Sequence, residues 1–264
     1  MQVRLLLGTL LLAGEALASE VWPSCFAPDI VKGLEPVEVA RVYDGDTVQL
    51  VDGRKVRLLN INTPELDHKG GVDQAYAREA TEQARQWLNS RDRLFLVFDR
   101  EHQDRYGRWL AHLLDGKGQS LAEHLLIKGL AVPLAVPPNL AHAACYFNLA
   151  SEPKAGKVGV WAANQAIAAR HLSRAGFQRV SGKVSKITKT RAGDYWLELD
   201  GVLAIQIKKH DLEYFDDFPA GFDVANQIEV EGWVVDRSNT SDHLQKGYTP
   251  WKLQVRTPYA LRVN

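Results

Sequence analysis

The sequence predicts two small, mainly β units with a few helices, each a five-stranded Greek-key barrel of the OB type. Residues 38–61 alternate as three short strands, and a helical stretch with further short strands follows them. A second set of five strand-like runs fills the chain after Arg179. At 264 residues the chain has room for one large or two modest domains, and 45% hydrophobic with 24% charged residues is ordinary for a globular protein. Net charge is +0, so any binding of a polyanion rests on local patches rather than on bulk attraction.

In the first unit, EVARVY, TVQLV and KVRLLNI alternate as strands, with the hairpin dipeptide Asp52-Gly53 between the second and third. Ala77, Ala80, Ala84, Trp87 and Leu88 recur near helical spacing within residues 73–89. RLFLVFD (93–99) and RWLAHLL (108–114) read as strands. Ser120 is placed to cap a short helix through Lys128, which Gly129 ends. A short strand over 130–136 precedes Pro137-Pro138, and Asn139 is read as the cap of another helix. Apolar spacing predicts a helix from Trp161 to Arg174, ended by Gly176. The domain reading is therefore 1–18 signal peptide, 19–37 N-terminal segment, 38–163 first barrel, 164–178 helical linker and 179–264 second barrel.

The N-terminal MQVRLLLGTLLLAGEALASE reads as a secretory signal. Arg4 gives the positive start, Leu5 to Ala13 is too short to span a bilayer, and Ala16-Leu17-Ala18 is a cleavage site, with Ser19 beginning the mature chain. Export to the periplasm or the medium follows, with no membrane span in the mature protein. Cys25 and Cys145 are the two cysteines, and an oxidising compartment favours a disulfide between them.

Three short stretches carry chemistry. Asp44-Gly45-Asp46-Thr47 sets two carboxylates around a glycine, so that one can face a cation while the other orients or supports it. In RLLNINTPE (57–65), strict strand alternation puts Arg57, Leu59 and Ile61 on one face and Leu58, Asn60 and Asn62 on the other. The Asn62 amide oxygen and the Thr63 carbonyl, held extended by Pro64, are candidate ligands beside Asp46, and Glu65 is a candidate general base. In DRYGR (104–108), Gly107 lets the chain turn so that Arg108 starts a strand and can clamp a phosphate opposite Arg57. Each stretch alone also reads as an ordinary charged turn or solvated strand end; together they are the equipment for attacking a phosphodiester.

From about Glu38 to Trp161 the chain resembles staphylococcal nuclease, the thermonuclease family. The resemblance runs through DGDT, RLL-x-I-x-TPE, Gly71-Val72 before a helix, Phe98-Asp99, DRYGR, the helix ending Lys128 to Ala131, and Gly159 to Trp161. It implies catalytic Arg57, Glu65 and Arg108. It also implies one calcium ion held by Asp46, Asn62 and the Thr63 carbonyl, with Asp44, Thr47 and Asp104 in support and Arg105 and Tyr106 beside the substrate. The implied activity is a secreted, monomeric, calcium-dependent nuclease on DNA or RNA, with little sequence preference and 3′-phosphate ends. The alternative is a weak or inactive nuclease-fold module that binds nucleic acid or an envelope partner. Two positions depart from the family: Asn62 replaces a second aspartate, for which weaker calcium binding is expected, and VPLAVPP after the short helix lacks the family's tyrosines.

The second unit carries no catalytic constellation. His210, Asp211 and Glu213 read as polar surface. Tyr195, Trp196, Trp233, Tyr248 and Trp251 are candidate stacking platforms for substrate, with Trp196 and Trp233 assigned to the core by their alternation. No acid stands between Glu152 and Asp194, and this basic stretch reads equally as a backbone-tracking surface and as a solvated face.

Overall fold

A computed structural model describes residues 24–67, 70–216, 218–238 and 248–263. The proposed signal segment, its cleavage site and Ser19 lie outside them. Among the described residues no helix is long and apolar enough to cross a membrane.

The first barrel comprises β1 (Val39–Val42), β2 (Thr47–Leu50), β3 (Lys55–Leu58), the two-residue β4 (Ile61–Asn62), helix α1 (Ala77–Asn89), β5 (Leu94–Val97) and β6 (Trp109–Asp115). Helix α2 (Leu121–Ile127), the short β7 (Val132–Pro133), α3 (Ala143–Leu149), α4 (Ser151–Ala155) and α5 (Val160–Ala163) complete the unit. The sheet order is β1-β2-β3-β6-β5, and a bridge between Val37 and Leu94 joins its two edges into a closed ring. Inward positions such as Val48, Val56, Leu58 and Leu113 are sealed against Ala80, Ala84, Leu121 and Leu125 of the helices. Removing that much branched apolar surface from water is the main drive for assembly.

Ser120 caps α2 as expected and does so in a full capping box: its hydroxyl accepts from Ala122 N–H at 3.1 Å while Glu123 accepts from Ser120 N–H at 3.0 Å. Glu123 also accepts from the Ser24 hydroxyl and the Cys25 N–H. Cys25 is bonded to Cys145 of α3 across a sequence separation of 120, so the segment before β1 is pinned at two adjacent points. Loop closure of that length is worth about 4–5 kcal/mol in the chain-entropy account.

The KGLA and GVW motifs meet backbone to backbone. Gly129 has φ 65°, Gly159 has φ 56°, and Val160 N–H donates to the Gly129 carbonyl at 2.8 Å. A Cβ on Gly159 would fall on that carbonyl oxygen. Trp161 is thereby set into the core with 1% exposure.

Several expectations are corrected by the structure. The expected helix from Trp161 to Arg174 does not continue past Ala163, where α5 stops: β8 (Ile167–Ala168) pairs parallel to the next strand, and a 3-10 turn occupies Ala169–His171. Ala169 and Leu172 join the second core, so their apolar character reflects sheet packing rather than a helix face. Asn139 does not cap a helix. Its side chain accepts from Glu101 N–H and donates to Glu101 O, clamping two loops, and α3 begins later, after His142.

The second barrel contains β9 (Gly176–Lys189), β10 (Tyr195–Leu199), β11 (Leu203–Ile207), β12 (Gln227–Asp236), β13 (Trp251–Gln254) and β14 (Leu261–Val263). The order β9-β10-β11-β13-β12 closes because β12 also pairs with β9, from Gln227↔Lys183 to Val234↔Gly176. Its interior holds Val180, Leu197, Leu199, Ile205 and Leu253. Trp196 and Trp233 are on the opposite parity and outside the core, Trp233 with 48% exposure. Buried Leu197 and Val234 beside them show which face turns inward. Asp211 is fully buried and accepts from Arg256 and Gln254, with His210 near it at the surface, so this cluster braces the barrel.

The two barrels touch through specific contacts. Arg179 donates to the Asn164 carbonyl at 2.7 Å and pairs with Glu229 at 2.7 Å, while Lys154 of α4 approaches Glu229 at 3.6 Å. Phe147 stacks on Tyr259, and the Thr257 hydroxyl donates to the Ala135 carbonyl at 3.3 Å.

Gly159→Ala is expected to destabilise the protein by roughly 3 kcal/mol, from the forced left-handed backbone together with the carbonyl clash, as read from urea unfolding. A second expectation concerns His112, whose pKa burial and then His142 push down to about 3. The unfolded chain then binds a proton near its ordinary value while the folded chain does not, so His112 erodes stability as pH falls from about 6.5 toward 3. Unfolding midpoints measured across that window should fall less steeply in His112→Gln than in the parent.

Candidate active site

The site forms where the loop after β1 meets the end of β3 and the segment after β4. Thr47 and Arg57 face each other across the β2–β3 pair, which puts the DGDT loop beside the Arg57 side chain. Strict alternation would send Arg57 and Asn62 to opposite faces. Instead Asn60 takes φ 60°, a conformation asparagine tolerates, and its side chain donates to the Asn139 and Leu134 carbonyls. This kink breaks the strand between β3 and β4, keeps Ile61 in the core with Leu58, and brings the Asn62 oxygen to 3.2 Å from Arg57 Nη2.

Asp46 is the centre of the constellation, with 1% exposure. Its Oδ1 accepts from the Thr47 hydroxyl at 3.1 Å. Its Oδ2 accepts from Thr63 N–H at 2.7 Å and lies 3.1 Å from Arg57 Nη1. Arg57 also donates to the Leu58 carbonyl at 2.9 Å, which fixes the plane of the guanidinium. Asp44 accepts from Asp46 N–H at 3.0 Å and so shapes the turn. Gly45 is required sterically, because a Cβ there would stand 2.7 Å from the Thr63 methyl.

Glu65 is open to solvent as a residue, but its carboxyl leans into the site and shares a hydrogen bond with Asp44. Partial desolvation and then the charge of Asp46 raise its pKa, against the pull of Arg57, Asp44 and Arg108. Asp44 is pushed up to about 7, by burial first and then by the charges of Asp46 and Glu65. Gln74, which the motif reading missed, braces the loop: its amide oxygen accepts from Glu65 N–H and its own N–H donates to the Glu65 carbonyl. A lone glutamine nine residues downstream carries no sequence signal for that role.

Arg108 stands on the far side, half-exposed, with Nε donating to Asp104 Oδ2 at 2.8 Å and its backbone N–H donating to Asp104 Oδ1 at 2.9 Å. Burial acts upward on Asp104, but the Arg108 bonds outweigh it and hold the carboxyl below its ordinary range. Gly107 has φ 77°, which lets the chain double back within DRYGR. Tyr106 is 69% exposed, with the Arg105 guanidinium 4.8 Å and that of Arg108 5.8 Å from its ring centre.

Asp46, the Asn62 amide and the Thr63 carbonyl all offer oxygen, the donor type a hard divalent cation takes, and the first two converge on one guanidinium. The acids Asp44, Asp46 and Glu65 repel one another, a field that added positive charge relieves. Among the described residues no three His, Cys, Asp or Glu side chains gather as a metal cluster, so such a cation would rest on one carboxylate and neutral oxygens.

A family profile described as Staphylococcal nuclease homologue matches residues 55–163, stopping before the second barrel. "Endonuclease YncB" of Bacillus subtilis (strain 168) is 35% identical over 136 residues, 49% of this chain and 63% of that protein. "Thermonuclease" of Staphylococcus hyicus is 34% identical over 105 residues, 39% of this chain and 61% of that protein. "Thermonuclease" of Staphylococcus intermedius is 32% identical over 126 residues, 47% of this chain and 74% of that protein. The chain thus spans less than two thirds of the first two and more than two thirds of the third.

Gly45→Ala should displace Thr63 from Asp46 and lower the unfolding midpoint, while circular dichroism still reports a folded chain. A loss of about 1–3 kcal/mol in urea unfolding is the expected outcome, the usual cost of leaving a buried polar group without its partner.

Proposed function

This chain belongs to the staphylococcal nuclease family, and from that footing we propose that it is an exported, calcium-dependent nuclease. Its substrates are DNA and RNA, cut with little sequence preference to leave 3′-phosphate ends. The observation that carries this reading is the convergence of Asp46, Arg57, Asn62 and Thr63 on one point, with Glu65 and Arg108 at its rim. Export rests on the N-terminal sequence MQVRLLLGTLLLAGEALASE.

Asp46, Asn62 and the Thr63 carbonyl would hold the calcium ion, which when bound would supply positive charge and Lewis acidity at the phosphate. Glu65 accepts the proton of the attacking water, and its raised pKa makes it a better base than a solvated glutamate. Arg57 and Arg108 donate hydrogen bonds to the phosphoryl oxygens as charge builds on phosphorus. The Leu58 carbonyl holds Arg57 and Asp104 holds Arg108, so both guanidiniums are positioned ahead of the reaction. Asp44 shapes the turn that presents Asp46 and shares a hydrogen bond with Glu65.

Incubation of the purified protein with plasmid DNA and with RNA, in calcium or in excess chelator, tests the class. Calcium-dependent degradation is expected, and no cleavage of either polymer at any calcium concentration would defeat the reading. Glu65→Gln, Arg57→Lys and Arg108→Lys should each lower turnover by about 10²–10⁴, the usual range for a general base or a fixed charge donor. Asn62→Asp should raise the calcium-induced shift in melting temperature above the parent's, because a second carboxylate binds the ion more strongly.

A further inference from the structure

The face of the sheet that carries Arg57 continues away from the site. In register, Arg41, Gln49 and Lys55 form one row across β1, β2 and β3, and Tyr43, Thr47 and Arg57 form the next, with Tyr43 N–H donating to the Thr47 carbonyl. The Tyr43 hydroxyl donates to Gln49 Oε1 at 3.0 Å, which fixes the ring over that surface. The Arg41 guanidinium lies 4.7 Å and the Lys55 ammonium 4.9 Å from the ring centre. Tyr43 is half-buried, while Arg41 and Lys55 are exposed and enter no ion pair among the described residues.

Beside this face runs a groove of about 500 Å³, lined by Arg41 and Tyr43 on one wall and by Leu66, Arg85 and Leu88 on the other. Both walls grow out of the site itself, since Tyr43 precedes Asp44 and Leu66 follows Glu65. Among the described residues no carboxylate lines the groove, and its charged side chains are Arg41 and Arg85, the latter 3.9 Å from Glu82. An aromatic ring fixed in place, flanked by unpaired cations and continuous with a phosphate-cutting centre, is the arrangement that holds single-stranded nucleic acid: bases stack on the ring, and the cations take the backbone charge.

We propose that Tyr43, Arg41, Lys55 and Arg85 form a subsite for the nucleotide adjoining the scissile phosphate of a single-stranded nucleic acid. The base stacks against Tyr43 and the next phosphate is taken by Arg41 or Lys55. The subsite rests on the nuclease reading for its role but not for its binding. A length preference follows: a substrate that extends past the cleaved bond is held by groups that a minimal one does not reach.

The test measures fluorescence anisotropy of a labelled single-stranded oligothymidylate with the full-length protein in chelator, over a range of salt. Hydrolysis of the same oligonucleotide is then compared with that of a nitrophenyl ester of a single thymidylate in calcium. The triple variant Arg41→Gln, Lys55→Gln, Tyr43→Leu should bind the oligonucleotide at least about tenfold more weakly. Its salt slope should be shallower by about 0.7 for each phosphate no longer neutralised. KM for the oligonucleotide should rise by a similar factor while KM for the nitrophenyl ester does not. The subsite is overturned if affinity and salt slope are unchanged in the triple variant, if both substrates suffer equally, or if the parent does not bind the oligonucleotide. If the parent binds it and the triple variant does not, yet neither substrate is cleaved, the subsite stands and the nuclease reading falls.

Discussion

The Asp46 carboxylate is the constraint on which the site depends. It sits out of water, and its two oxygens tie three separate stretches of chain: the DGDT turn through Thr47, the segment after β4 through Thr63 N–H, and β3 through Arg57. A buried carboxylate is tolerable only when its lone pairs are taken up, and here a hydroxyl, an amide and a guanidinium do so. The same bonds that make a buried Asp46 tolerable also bring the chemical groups together. Gly45 keeps the turn close enough for this, and Asn60 supplies the backbone break that lets Arg57 and Asn62 approach one another.

The surrounding charges are left unbalanced. Asp44, Asp46 and Glu65 crowd together with Arg57 as their near cation, while Arg108 is committed to Asp104 across the rim. A site built only for stability would pair these acids off. Holding Asp44 and Glu65 above the ordinary carboxyl range is the kind of perturbation that gathers at functional sites. The second barrel shows the contrasting case in Asp211, fully buried and held by Arg256 and Gln254, where the pairing is closed and braces the fold.

Much of this was legible in the sequence. The strands of both barrels, the Asp52-Gly53 turn, the Ser120 cap and the grouping of DGDT, RLLNINTPE and DRYGR follow from alternation, turn chemistry and capping, all of which are local. What local pattern could not carry was parity across a break. One left-handed residue at Asn60 reverses the facing of everything after it, so counting by twos misplaced Asn62 relative to Arg57. Parity also failed at Trp196 and Trp233, where alternation with their neighbours suggested the interior while Leu197 and Val234 fill it. Residues 164–174 misled for a different reason: apolar residues that serve a short parallel strand and a 3-10 turn fall by chance near helical spacing. Gln74 and Asn139 act through hydrogen bonds that no spacing rule anticipates.

The junction between the barrels has a mechanical meaning. Thr257 of the second barrel holds the Ala135 carbonyl, Leu134 N–H donates to the Asn60 carbonyl, and Val132 pairs with Asn62. A segment that rests at one end on the second barrel therefore pairs, at the other, with the asparagine that faces Arg57. The second barrel is in this sense a foundation for one wall of the site, sharing the load that keeps the amide oxygen where it is.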